Sequence, residues 1–130
     1  MIGLDTSTII DLFKGNEKVK LVLEKNKEPL VISIISYLEL FFGIDAMNSK
    51  HNIEASYYRE LFSRVYVLNL TQNACEEASN IFWKLKREGR EIDQFDCVIA
   101  SIFLTNGINK IITGNVKHFE RIKDLEVIRY

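Results

Sequence analysis

The chain reads as an α/β protein, with a mainly parallel sheet sandwiched by helices. Three observations predict this. Short apolar runs alternate with amphipathic helical stretches from end to end, the pattern of βαβ units joined by right-handed crossovers. The run Leu30-Val31-Ile32-Ser33-Ile34 is nearly continuous in apolar residues, as a strand covered on both faces requires. At 130 residues and 47% hydrophobic content the chain is long enough to bury a real core, and we expect one domain over residues 1–130.

The first strand is Ile2–Leu4, which ends at Asp5 and turns at once into a helix from Thr6 to Lys14, closed by Gly15-Asn16. Val19, Val22 and Leu23 mark a second helix between Glu17 and Lys25, broken by Glu28-Pro29. The second strand follows. After Ser36 comes a dense apolar helix carrying Tyr37, Leu38, Leu40, Phe41, Phe42, Ile44 and Met47. Residues 48–52 read as a polar loop, Ile53 to Arg64 as an amphipathic helix, and Val65–Leu68 as the third strand. Thr71 caps a long helix whose stripe is Ala74, Cys75, Ala78, Ile81, Phe82 and Leu85. Asp93 to Thr105 is a further helix, Lys110–Thr113 the fourth strand, and Gly114-Asn115 opens a short helical stretch through Arg121. Leu125–Ile128 supplies a weaker last strand.

Composition removes several classes. A net charge of −1 gives no bulk affinity for nucleic acid, so any such contact needs a local patch or a bridging cation. Cys75 and Cys97 lack metal spacing and are expected as buried, reduced thiols in a cytoplasmic protein. No apolar run reaches the length of a membrane span, and no signal peptide opens the chain. A dinucleotide fold is disfavoured because no Gly-rich loop follows the first strand.

Asp5, Glu39, Asp96 and Asn115 each fall just after a strand or in the first turn of a helix. Taken singly each reads as a cap: Asp5 and Asn115 are good N-cap residues, Ser36-x-x-Glu39 matches a capping box, and Asp93 caps the helix that carries Asp96. Taken together they change meaning. The points that follow parallel strands lie along one edge, where open α/β sheets place their chemistry. Three carboxylates gathered there repel one another, and without a cation some must take up protons. A hard ion removes that cost. Mg2+ or Mn2+, held by carboxylate oxygens, an amide oxygen and waters, suits the set. Zinc does not, because neither His51 nor His118 has a Cys or His at ligand spacing.

Four blocks in series carry a resemblance. They are Ile2-Gly3-Leu4-Asp5-Thr6-Ser7, Ser33-x-x-Ser36-x-x-Glu39-Leu40, Asp96-Cys97-Val98-Ile99-Ala100-Ser101 and Thr113-Gly114-Asn115-x-x-x-Phe119. Their order and spacing resemble PIN-domain proteins, most of all the VapC-type toxin ribonucleases, over essentially the whole chain. The resemblance implies a three-layer α/β/α sandwich and Mg2+- or Mn2+-dependent cleavage of RNA. It also implies a homodimer, and neutralisation by a small antitoxin protein of a type II toxin–antitoxin pair. By position, Asp5, Glu39 and Asp96 match the family's three acidic metal-site residues, and Thr6 or Ser7 the hydroxyl that orients Asp5 or a metal water. Thr113 belongs to the fourth block. Asn115 departs from the acid that many members carry there: an amide offers an oxygen but no charge, which favours one firmly held ion. Asp93 either replaces that charge or only caps its helix. The alternative function is a non-catalytic PIN-like module that binds a partner through its aromatic set Tyr37, Phe41, Phe42, Tyr57, Tyr58 and Phe62. Part of that set is a candidate dimer or antitoxin surface. Lys84, Lys86, Arg87 and Arg90 form the most basic cluster and read as a solvated helix end; His118, three residues past Asn115, reads as a surface residue ahead of one that approaches the site.

Overall fold

The computed structural model describes residues 1–130. Five short strands are β1 Ile2–Leu4, β2 Leu30–Ser33, β3 Tyr66–Leu68, β4 Lys110–Ile112 and β5 Glu126–Ile128. They form one sheet in the order β3-β2-β1-β4-β5, and every pairing is parallel. The mainly parallel expectation is therefore met in full. β1 is the central strand, with Leu4 opposite Ile32 of β2 on one side and Ile112 of β4 on the other.

Helices α1 Thr6–Phe13, α2 Glu17–Lys25, α3 Ile34–Phe42 and α4 Asn52–Arg64 belong to the first half of the chain. Helices α5 Gln72–Arg87, α6 Gln94–Thr105 and the short α7 Val116–Phe119 belong to the second. The strand alternation divides the core in two. Ile2, Leu4, Ile32 and Ile112 pack with Ile9, Leu40 and Tyr58 of α1, α3 and α4. Val31 and Ile111 point the other way and join Ile81, Leu85, Ile99, Ile102 and Phe103 of α5 and α6. Successive residues of a strand face opposite sides of its sheet, so a run such as Val31-Ile32 feeds both layers.

Gly3 is the exception that shows how tightly the second layer is built. A Cβ there would stand 2.5 Å from the ring of Phe103, which is itself fully buried. The ring fills the place of the missing side chain and has no free volume to move into. Gly3→Ala is expected to cost about 1–3 kcal/mol, the usual scale of overpacking. Thermal unfolding checks this.

Four local expectations are corrected. α3 begins at Ile34 rather than after Ser36, because Ser33 is its N-cap and accepts a hydrogen bond from the Ser36 amide at 3.3 Å. The capping box read at Ser36-x-x-Glu39 is thus displaced by three residues, and Glu39 is released from any capping duty. α3 also stops at Phe42, with Gly43 as its C-cap, so Ile44 and Met47 lie beyond it. Asn48 then caps a single 3-10 turn, Ser49–His51, within the stretch expected as loop. Cys97 is buried as expected, but Cys75 is exposed, since its position falls off the buried stripe Ala74, Ala78, Ile81 and Leu85. Of the aromatic set, Tyr58 is fully buried, Phe41 and Tyr57 pack edge to ring on it, and Tyr37 packs against Phe41 and Phe62, whereas Phe42 is 72% exposed. No helix is long and apolar enough to cross a membrane.

Candidate active site

The C-terminal edge of the sheet gathers the polar residues of all four sequence blocks. Asp5 follows β1 and occupies the N-cap position of α1, but its carboxylate caps nothing. The cap reading of Asp5 is corrected. Its Oδ2 accepts instead from Ser7 Oγ and from Thr113 Oγ1, each at 2.7 Å. Those two hydroxyls are fixed in turn: Ser7 Oγ accepts from the Gly114 amide at 3.0 Å and Thr113 Oγ1 from the Asn115 amide at 2.9 Å. The Asp5 amide donates to Ile112 O at 3.1 Å, which locks the ends of β1 and β4 together. Of the two candidate hydroxyls, Ser7 orients Asp5.

Thr6 serves a different acid. Its Oγ1 lies 2.7 Å from Glu39 Oε1 and 3.0 Å from Ser36 Oγ. An ionised carboxylate only accepts, so the Thr6 proton goes to Glu39. Ser36 is fully buried beneath this contact. The earlier start of α3 turns Ser36 inward and brings Glu39 to the edge.

Asp96 lies in the first turn of α6, behind Asp93, whose Oδ1 accepts from the Phe95 amide at 2.8 Å. Asp93 is thus a helix cap, as one of its two readings held. Asp96 is 8% exposed, and its Oδ2 accepts from Asn115 Nδ2 at 3.0 Å and lies 2.7 Å from His118 Nδ1. Asn115 caps no amide of α7. It turns its nitrogen, not its oxygen, to Asp96. His118 stays partly exposed but takes the less favoured of its two readings: it stands one helical turn past Asn115 and touches an acid of the site. That spacing was the available signal.

The charges of the acids act on one another. Burial pushes the Glu39 carboxyl above its ordinary range, the Thr6 hydrogen bond opposes this, and the charges of Asp5, Asp96 and Asp93 add to it. Burial likewise pushes Asp96 up, the His118 contact opposes, and the charges of Asp5 and Asp93 raise it further. Each acid anchors one oxygen on protein donors and leaves the other without a protein partner. No buried side-chain oxygen lacks a partner, so the free oxygens of Asp5, Glu39 and Asp96 reach solvent. They do not close into a ready-made three-ligand cluster. That openness is compatible with Mg2+, which keeps several waters and takes only one or two carboxylates plus substrate oxygens.

Tyr130, which no sequence pattern singled out, supports the edge from below. Its hydroxyl donates to Asp11 Oδ2 at 2.6 Å, and a Cβ on Gly114 would stand 2.6 Å from the same hydroxyl oxygen. Glycine at this position lets the loop that carries Thr113 and Asn115 lie against Tyr130.

Fold and site define a parallel α/β protein with an acidic, half-anchored carboxylate group at the strand ends. The chain belongs to the PIN domain family, whose model matches residues 2–125. It is similar to Ribonuclease VapC1 of Haemophilus influenzae (strain R2866), 36% identical over 130 residues, covering 95% of this chain and 92% of that protein. Among solved structures it resembles VapBC-1 from nontypeable Haemophilus influenzae, with a TM-score of 0.78, 36% identity, and 99% and 98% of the two chains covered. VapBC2 from Rickettsia felis, bound to a DNA fragment from its promoter, has the same fold, with a TM-score of 0.85, 23% identity, and 100% and 99% covered.

Proposed function

We propose that the chain is a metal-dependent endoribonuclease and the toxin of a type II toxin–antitoxin pair. One observation carries this reading: Asp5 at the cap position of α1, Glu39 on α3 and Asp96 in the first turn of α6 each keep one carboxylate oxygen without a protein partner. The ribonuclease named among the relatives supports RNA as the substrate, and the VapBC-1 likeness supports an antitoxin as partner. A homodimer belongs to the same reading.

The donor set is all hard oxygen, which fits Mg2+ or Mn2+. Asp5 and Asp96 would hold the ion through their free oxygens. When bound, such an ion polarises a phosphate oxygen and acidifies a water. Glu39 is a further ligand, or the base that orients the attacking water. Water attacks phosphorus in line, and the products carry a 5′-phosphate and a 3′-hydroxyl. Ser7 and Thr113 hold Asp5, Thr6 holds Glu39, and Asn115 holds Asp96.

Two measurements test the reading. Titration calorimetry with Mn2+ is expected to give a specific site in the wild type, which a pure binding module lacks. Asp96→Asn is expected to lose magnesium-dependent cleavage of RNA with its thermal unfolding nearly unchanged. Wild-type cleavage by Asp96→Asn would sink the mechanism.

A further inference from the structure

We infer that His118 is a positioning residue for Asp96, fixing which carboxylate oxygen is left for the cation; this rests on the metal-site reading above. Two groups meet at Asp96 Oδ2. His118 Nδ1 lies at 2.7 Å, Asn115 Nδ2 at 3.0 Å, and the two nitrogens are 2.9 Å apart. The carboxylate accepts both contacts, so Oδ2 is occupied twice and only Oδ1 remains free. The terminal torsion of an aspartate is broad and roughly two-fold, so nothing intrinsic to Asp96 selects one oxygen over the other. Its neighbours do.

His118 is itself held in place from two sides. The next residue, Phe119, is fully buried in the core layer of α5 and α6. Three residues on, Arg121 donates from Nη1 to the carbonyls of Arg90 at 3.3 Å and Glu91 at 3.1 Å, in the loop that leads into the helix of Asp96. The imidazole and the carboxylate are thus tied to each other through both chain segments. The His118 side chain is 37% exposed, so shortening it opens no cavity in the core.

Hydrogen bonds that orient a ligating group are worth roughly 10–100-fold in metal affinity or activity. The test is Mn2+ titration calorimetry on wild type, His118→Ala and His118→Asn, with RNA cleavage followed across a range of metal concentration. His118→Ala is expected to weaken Mn2+ binding by about 10–100-fold and to shift the metal needed for half-maximal cleavage by the same factor. Its cleavage rate at saturating metal should match wild type, and its unfolding temperature should stay close to wild type. His118→Asn, which can place an amide nitrogen near the position of Nδ1, should restore most of the affinity. A merely structural histidine would move the unfolding temperature and leave the metal dependence alone. Undiminished Mn2+ binding by His118→Ala overturns this inference while leaving the metal site standing. A wild type that binds no Mn2+ overturns the metal reading, and this inference with it.

Discussion

Asp5→Asn is expected to abolish RNA cleavage while leaving a folded protein. The carboxylate has two duties on two oxygens: Oδ2 accepts from Ser7 and Thr113, and the other oxygen is free. An amide has only one acceptor. If asparagine keeps its oxygen on the two hydroxyls, it turns an NH2 toward the cation position. If it turns the oxygen outward, Ser7 and Thr113 face a donor and lose their acceptor. Either way the negative charge is gone. Losing a ligand and its charge is worth about 4 kcal/mol of transition-state stabilisation, or roughly a thousandfold in rate. Cleavage of RNA in Mg2+, compared with thermal unfolding of the same samples, checks both halves of this expectation. Residual cleavage within tenfold of wild type would remove Asp5 from the machinery.

Glu39→Gln is expected to split activity from stability. The glutamine oxygen can still accept from Thr6, so the local fold is kept. The charge that Asp5, Asp96 and Asp93 oppose is removed. Cleavage should fall by two orders of magnitude or more, the scale of a lost general base. The metal-free protein should instead gain a few degrees in unfolding temperature near neutral pH, as relief of a strained functional site commonly gives. The pH dependence follows with a definite sign. Glu39 and Asp96 have folded-state pKa values raised above 4.5 and 3.8, so in the window between the unfolded and folded values the native state binds more protons. Stability then falls as pH rises through that window. Their contribution is fully present below the unfolded values and is lost as pH climbs through the raised ones. Other carboxylates set their own trends, so the informative quantity is the difference between wild type and Glu39→Gln in chelator. The advantage of the variant should be greatest at neutral pH and shrink on acidification. A variant less stable than wild type at neutral pH, or an advantage that grows with acid, contradicts the assignment.

The layered fold was legible because the inner strands β1, β2 and β4 are largely buried on both faces and therefore wrote themselves as uninterrupted apolar runs. Ile111-Ile112 and Val31-Ile32 are such pairs, and each divides between the two core layers. The acids were legible as a set because each follows a recognisable strand or opens a helix. What each acid touches was not. Capping chemistry uses the same residue types as ligand chemistry, and the helix read as starting after Ser36 is capped by Ser33 instead. Asp5 and Asn115 stand at cap positions, yet their side chains bond across the edge to partners distant in sequence. His118 lay one turn from Asn115, but a lone histidine on a four-residue helix carries no periodic signal of which way it faces. Tyr130 owes its place to Gly114 and Asp11, both far away in the chain.

The position of β1 between β2 and β4 bears on how the protein is made. The first strand to leave the ribosome gains its second neighbour only near the end of synthesis, because Asp5 waits for Thr113, 108 residues later. At roughly 5–20 residues per second, that interval is about 5–20 s. Until it has passed, Asp5 lacks one of its two anchors, Asn115 does not exist to hold Asp96, and the nascent chain cannot assemble its cutting edge. For an RNA-cleaving protein, this strand order sets completion of the acidic edge after nearly all of the chain has been made.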